Sequence, residues 1–323
     1  MQSIEPIQLL IQQELSAFEN KFKEAVKSRV SLLDRIMYYI VKRKGKQIRP
    51  MFVFLSARLF GPSDESTYRA AALVELLHTA TLVHDDVVDE AYERRGFFSI
   101  NALWKNKVAV LVGDYLLSKG LLLSLKNNDY EVLQILSTAV EQMSEGELLQ
   151  IEKSRSLNLS EEVYFEIIRN KTASLLASAC SAGTWTTTHD KEKAEKMRLF
   201  GEKAGLAFQI KDDLFDYGSD SIGKPTGNDI KEKKLTLPLI YTLNNTTGSR
   251  KNELMYIIKN KNKDRKYVQQ VIDEVVSIGG IDYASDIMMK FRDEAIGVLH
   301  QFPENDIRNG LESLVRFTTD RKY

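Results

Sequence analysis

Between Pro62 and Pro225 this chain of 323 residues carries no proline. The strongest interruption of a helix is therefore missing from the middle of the sequence. Apolar residues there recur at three and four positions rather than two. Leu73, Leu76, Leu77, Ala80 and Val83 form one such stripe. Leu133, Leu136, Val140 and Met143 form another, ending on Glu147 where apolar packing gives way to polar chemistry. Runs of alternating β-branched residues are missing. The pattern predicts helices joined by short turns at Gly61-Pro62, Lys126-Asn127-Asn128-Asp129 and Ser156-Leu157-Asn158. Ser160, ahead of Glu161-Glu162-Val163, has the chemistry of a helix N-cap. Residues 246–266 read as a loop at the start, with Lys259, Lys261 and Lys263 on a solvated face. The expected fold class is all-α, a single large bundle of mostly antiparallel helices over residues 1–323.

Composition narrows the function. Lys plus Arg and Asp plus Glu both number 45, and this balance lacks the basic excess of a nucleic-acid-binding surface. Hydrophobic residues make up 43% of the chain, ample for a core. The single Cys180 excludes a disulfide framework and fits a reducing compartment. Glu5, Glu14 and Glu19 make the N-terminus unlike a signal or transit peptide, so a cytoplasmic location is expected. Residues 108–125 are apolar and long enough to span a membrane, but Asp114 and Lys119 would each cost several kcal/mol at a bilayer centre. No transmembrane segment is expected, and this stretch reads as a helix of the buried core or of an interface between subunits.

Two acidic runs share one spacing: Asp85-Asp86-Val87-Val88-Asp89 and Asp212-Asp213-Leu214-Phe215-Asp216. At about 100° per residue the outer aspartates of each run lie one turn apart on a single helix face, with the apolar residues between them turned toward a core. Carboxylates crowded in this way repel, and burying them without a cation is prohibitive. Oxygen ligands with neither His nor Cys point to Mg²⁺, which keeps water and binds through substrate phosphates. Basic residues complete the set: Lys46 and Arg49 in the segment KGKQIRP (residues 44–50), Arg94 and Arg95 after the first run, then Lys171, Lys224 and Lys234. The Gly45 region also reads as a helix C-cap with cations at the negative end. Together with paired Mg²⁺ carboxylates, these cations describe a pocket for two diphosphates, one held through metal and one directly.

Residues 78–96 (HTATLVHDDVVDEAYERRG) closely resemble the first aspartate-rich motif of the trans-isoprenyl diphosphate synthases, or polyprenyl synthetases. Residues 205–216 (GLAFQIKDDLFD) resemble the second. Residues 44–50 and 223–238 (GKPTGNDIKEKKLTLP) resemble the family's flanking segments, in the family's order. The resemblance implies an isoprenoid-synthase bundle around a central active-site cavity and a homodimer. It implies that Asp85, Asp89 and Asp212 coordinate Mg²⁺, three ions with substrate bound, supported by Asp86, Asp213 and Asp216. Arg94, Lys171 and Lys234, with Lys224 nearby, would bind the allylic diphosphate. Lys46, Arg49, His78 and Arg95 would hold isopentenyl diphosphate. Thr172 and Gln209 would lie beside the reacting carbons. Two positions depart from the pattern, Lys44 and Lys233, where the family usually has glycine; no ligand is lost.

The implied reaction is ionisation of an allylic diphosphate, attack by the double bond of isopentenyl diphosphate on the allyl cation, and proton loss to the departed diphosphate. Thr81 and Ala80 precede Asp85 by four and five residues, roughly 6–8 Å below it at the helical rise. Short-chain members often close the tunnel there with an aromatic residue. These small residues leave it open and predict a long-chain product, with Leu136, Val140 and Met143 as candidate floors. A short-chain farnesyl or geranylgeranyl synthase is the nearest alternative. A class I terpene cyclase would lack the second aspartate motif, and a non-catalytic subunit would have lost aspartates from one of the two.

Overall fold

The structure, a computed structural model, describes residues 4–42, 45–94, 97–157, 160–218 and 227–320, and it is all-α as the periodicity predicts. The N-terminal part comprises α1 (Glu5–Leu10), α2 (Gln12–Val26), α3 (Ser31–Lys42) and α4 (Ile48–Arg58). Long helices follow: α5 (Glu65–Val88), the short α6 (Ile100–Trp104), α7 (Asn106–Lys126) and α8 (Tyr130–Ser156). Next come α9 (Glu161–Ile168), a π turn over Arg169–Ala173, α10 (Ser174–Thr188) and α11 (Lys191–Phe215). The C-terminal part holds α12 (Asn228–Lys231), α13 (Leu237–Asn245), α14 (Gly248–Asn260), α15 (Arg265–Ile278), α16 (Gly280–Leu299) and α17 (Asp306–Asp320). Among the described residues the only strands are β1 (Glu93–Arg94) and β2 (Phe97–Phe98), an antiparallel ribbon of two residues each.

Helix starts follow side-chain chemistry. Asp64 caps α5 reciprocally: its carboxylate accepts from the Thr67 N–H at 2.9 Å, and its own N–H donates to the Thr67 hydroxyl at 3.2 Å. Ser160 caps α9 as expected, accepting from the Val163 N–H at 3.3 Å.

Two apolar clusters form the interior. The larger joins α2, α4, α5, α7, α8 and α10 with the first half of α11 and with α17. The smaller joins α9, the second half of α11, α12 to α15 and the start of α16. Helix α11 belongs to both: Met197, Phe200 and Ala204 pack in the first, Leu206, Ala207 and Ile210 in the second. The π turn is wedged between α8 and α11 where both carry glycine. A Cβ on Gly146 would meet the Lys171 nitrogen at 2.9 Å, and one on Gly205 would meet Ala173 Cα at 2.6 Å.

Two sequence expectations need correction. Helix α14 occupies most of the stretch read as a loop, and only Thr246 and Thr247 separate it from α13; Lys259, Lys261 and Lys263 are nevertheless exposed. Residues 108–125 do not form a buried core helix. The most apolar stretch of α7 has mean hydropathy 1.7, yet only 33% of it is buried. Ala109, Val112 and Leu116 face the core, while Leu111, Leu121, Leu122 and Leu125 are exposed. By length and composition α7 is apolar enough to cross a membrane.

Candidate active site

Both aspartate runs sit at the C-terminal ends of long helices. Asp85 and Asp86 lie in the last turn of α5 with Asp89 as its C-cap, and Asp212 and Asp213 lie in the last turn of α11 with Asp216 as its C-cap. A helix C-terminus already carries partial negative charge, so carboxylates there are unfavourable until a cation arrives. The middle aspartates are the buried ones, Asp86 at 4% exposure and Asp213 at 6%. The apolar residues between them divide: Val87 and Leu214 pack against the two cores as the spacing predicts, while Val88 is 61% exposed.

Asp213 is held from two directions. The Tyr164 hydroxyl donates to its Oδ2 at 2.8 Å and the Gln209 amide to its Oδ1 at 2.8 Å. The Thr172 hydroxyl in turn donates to Gln209 Oε1 at 2.7 Å. Burial, reinforced by the neighbouring Asp212 charge, pushes the Asp213 carboxyl up to about 7 against the relief these donors give. Burial and the charges of Asp213 and Asp216 push Asp229 up to about 8. Asp216 accepts from the N–H groups of Asn228 and Asp229 at 2.8 and 2.9 Å, fastening the start of α12 to the end of α11.

The cations come from bent backbone. Lys171 projects from the π turn, a helix defect that often marks function, and it is ion-paired with Glu147 and 3.5 Å from the Gln150 side-chain oxygen. Lys234 follows a Schellman cap on α12: its N–H donates to the Asp229 carbonyl at 2.8 Å, and that of Lys233 to the Ile230 carbonyl at 3.0 Å. The left-handed residue of the cap is Lys233, with φ 58°. Burial alone would lower the Lys234 ammonium, but Glu232, Asp229 and Asp89 hold it above its ordinary value. Asp89 of the first run thus acts on a lysine beside the second.

A cavity of about 130 Å³ gathers Lys171, Thr172, Gln209, Asp213 and Lys234 from the sequence-derived set. It is also lined by Lys153, Tyr164 and Asp229, which the sequence reading did not single out. Asp229 lies inside the 223–238 segment already noted, Tyr164 stands two turns before Lys171, and Lys153 is one turn past Gln150. Lys46 and Arg49 lie apart from this cavity. They flank the start of α4, Lys46 just before the N-cap Gln47 and Arg49 in the first turn, so these cations stand at a helix N-terminus suited to anions. Lys46 Nζ is 5.0 Å from the Phe317 ring centre. His78 is buried on α5, and its carbonyl accepts from the Thr81 hydroxyl at 2.9 Å. Ala80 and Leu136 are buried in the larger core, against which Val140 and Met143 also pack. Lys44, Arg95, Lys224 and the side chain of Arg94 lie outside the described residues.

Residues 30–275 match the family model described as Polyprenyl synthetase. The chain belongs to the polyprenyl synthetase family. It is 35% identical to the all-trans-nonaprenyl-diphosphate synthase (geranyl-diphosphate specific) of Rhodobacter capsulatus, with 96% of each chain covered. A polyprenyl synthase from Caulobacter crescentus CB15, crystallised with calcium and isoprenyl diphosphate, is 34% identical with a TM-score of 0.91, over 99% of this chain and 98% of that one. The geranylgeranyl pyrophosphate synthase of Bacteroides thetaiotaomicron is 38% identical with a TM-score of 0.84, over 98% and 99%. This polyprenyl synthetase is a prenyltransferase, and its family uses divalent metal to bind diphosphate.

The residues present fit such a metal. Among the described residues no three Asp, Glu, His or Cys side chains gather closely enough to hold an ion by themselves. The carboxylates at the ends of α5 and α11 are oxygen donors that suit Mg²⁺, which takes one or two carboxylates and completes its shell with phosphate oxygens and water.

Proposed function

We propose that this polyprenyl synthetase condenses an allylic diphosphate with successive isopentenyl diphosphates, head to tail and in trans geometry, to a long-chain polyprenyl diphosphate. The observation that carries this reading is one cavity joining Lys171, Thr172, Gln209, Asp213 and Lys234 at the end of the helix that bears the second aspartate run. Asp85, Asp89 and Asp212 would hold Mg²⁺, three ions with substrate bound, while Asp86, Asp213 and Asp216 support them. When bound, the metal neutralises charge on the leaving diphosphate.

The chain's own residues do the rest. Lys171 and Lys234, with Arg94 and Lys224, take the negative charge of the departing group. Lys46, Arg49, His78 and Arg95 hold isopentenyl diphosphate so that its double bond meets the allylic carbon, converting an encounter into a positioned reaction. Thr172 donates its proton to Gln209, which leaves the lone pairs of its hydroxyl for developing positive charge. The departed diphosphate accepts the final proton.

Small side chains at Ala80 and Thr81 support a long product, with the stop at Leu136, Val140 or Met143. We further propose a single domain acting as a homodimer in the cytoplasm. Incubation with farnesyl diphosphate, isopentenyl diphosphate and Mg²⁺, followed by sizing of the dephosphorylated products, tests the reading. Products of seven to ten isoprene units are expected from the long-chain class. Arrest at about four units would replace it with the short-chain reading, and no Mg²⁺-dependent elongation would remove both.

A further inference from the structure

Asp213 has its two carboxylate oxygens turned away from solvent and engaged by two donors. One donor, Gln209, sits one turn earlier on α11 itself and cannot fix that helix against its surroundings. The other, Tyr164, sits on α9. It is only 3% exposed, and its ring packs edge-on against Phe165 at 5.4 Å, which packs edge-on against Phe291 of α16 at 5.6 Å. The hydroxyl is therefore placed by an aromatic row running from α9 to α16, whose far ring, Phe291, also lies under Lys203 Nζ of α11 at 5.2 Å.

We propose that Tyr164 is a positioning residue for the second aspartate run. By bonding Asp213 from a neighbouring helix it fixes the last turn of α11, so that Asp212 faces the diphosphate-bound cation. The inference rests on the metal-and-diphosphate reading above. It assigns Asp213 the part of an anchor, with the adjacent Asp212 as the group it aims.

The test measures Mg²⁺ dependence in the full-length protein, by activity and by thermal shift with inorganic pyrophosphate as probe. For Tyr164→Phe the Mg²⁺ concentration giving half the pyrophosphate-dependent shift should rise about tenfold or more, within the roughly 10–100-fold range for partners of metal-site residues. The melting temperature without ligand should stay near the wild-type value. In an Asp213→Asn background, Tyr164→Phe should add less than about twofold, because the two act through one contact. Phe165→Leu, which loosens the ring and keeps the hydroxyl, should raise the Mg²⁺ requirement by a smaller factor. Unchanged Mg²⁺ dependence in both Tyr164→Phe and Phe165→Leu, or an equal effect of Tyr164→Phe with and without Asp213, overturns the proposal. A wild-type protein with no Mg²⁺-dependent shift would instead sink the functional reading beneath it.

Discussion

Lys233 holds a backbone conformation that L-residues avoid, at a cost of roughly 1–2 kcal/mol, and it does so to close the α12 cap that delivers Lys234 to the cavity. Lys233→Gly should therefore stabilise the fold by about 1 kcal/mol in a denaturant titration, with Lys234 and activity undisturbed. The buried carboxyls carry a second expectation. Asp213 and Asp229 are raised from 3.8 to about 7 and about 8, so the metal-free fold binds protons that the unfolded chain has released. Their contribution to stability is fully present below pH 3.8 and is lost as pH rises through about 7 and 8. Metal-free melting temperature should fall more steeply from about pH 5 to 8 in the wild type than in Asp229→Asn. Mg²⁺ with pyrophosphate should flatten that slope. Sequence singled out the aspartates by their spacing and Lys234 as a candidate phosphate donor. It missed Tyr164 and Asp229, because a lone tyrosine or carboxylate carries no spacing signal until the fold brings it beside another group.

Helices were readable wherever an apolar stripe met one continuous core, as on α5, and wherever a cap residue had local chemistry, as at Ser160. Reading failed where composition and packing part company. Polar Asn, Thr, Gly and Ser around residue 248 imitate a loop, yet Leu254, Ile257 and Ile258 bury one face of α14 in the smaller core. The π turn was equally hidden, since nothing in Arg169–Ala173 predicts an extra residue in the helix. Its place is set by neighbours: Gly205→Ala forces a methyl against Ala173 backbone, and should cost about 1–3 kcal/mol of stability while displacing Lys171 and Thr172. Activity should fall by more than stability explains, measured below the melting transition. On α5, Ala80→Phe or Thr81→Phe should shorten the product. An unchanged length on chromatography would remove the tunnel reading of those positions.

The exposed apolar face of α7 would give the proposed homodimer a surface. Leu121, Leu122 and Leu125 are 44%, 48% and 47% exposed, a run of leucines that a lone chain leaves in water. Leu122→Asp with Leu125→Asp should shift the protein to monomer in sedimentation velocity; an unaltered mass would place the interface elsewhere. Helix α11 has a different consequence for the molecule. Its two halves are packed in separate cores, so the first aspartate run is carried by one core and the second by the other. A diphosphate clasped through metal by both runs would act as a removable staple between two regions of unequal size, and the smaller would gain most from it. Amide hydrogen exchange should then slow in α12 to α15 when Mg²⁺ and pyrophosphate are added, including in α13 to α15, which carry none of the residues assigned to either.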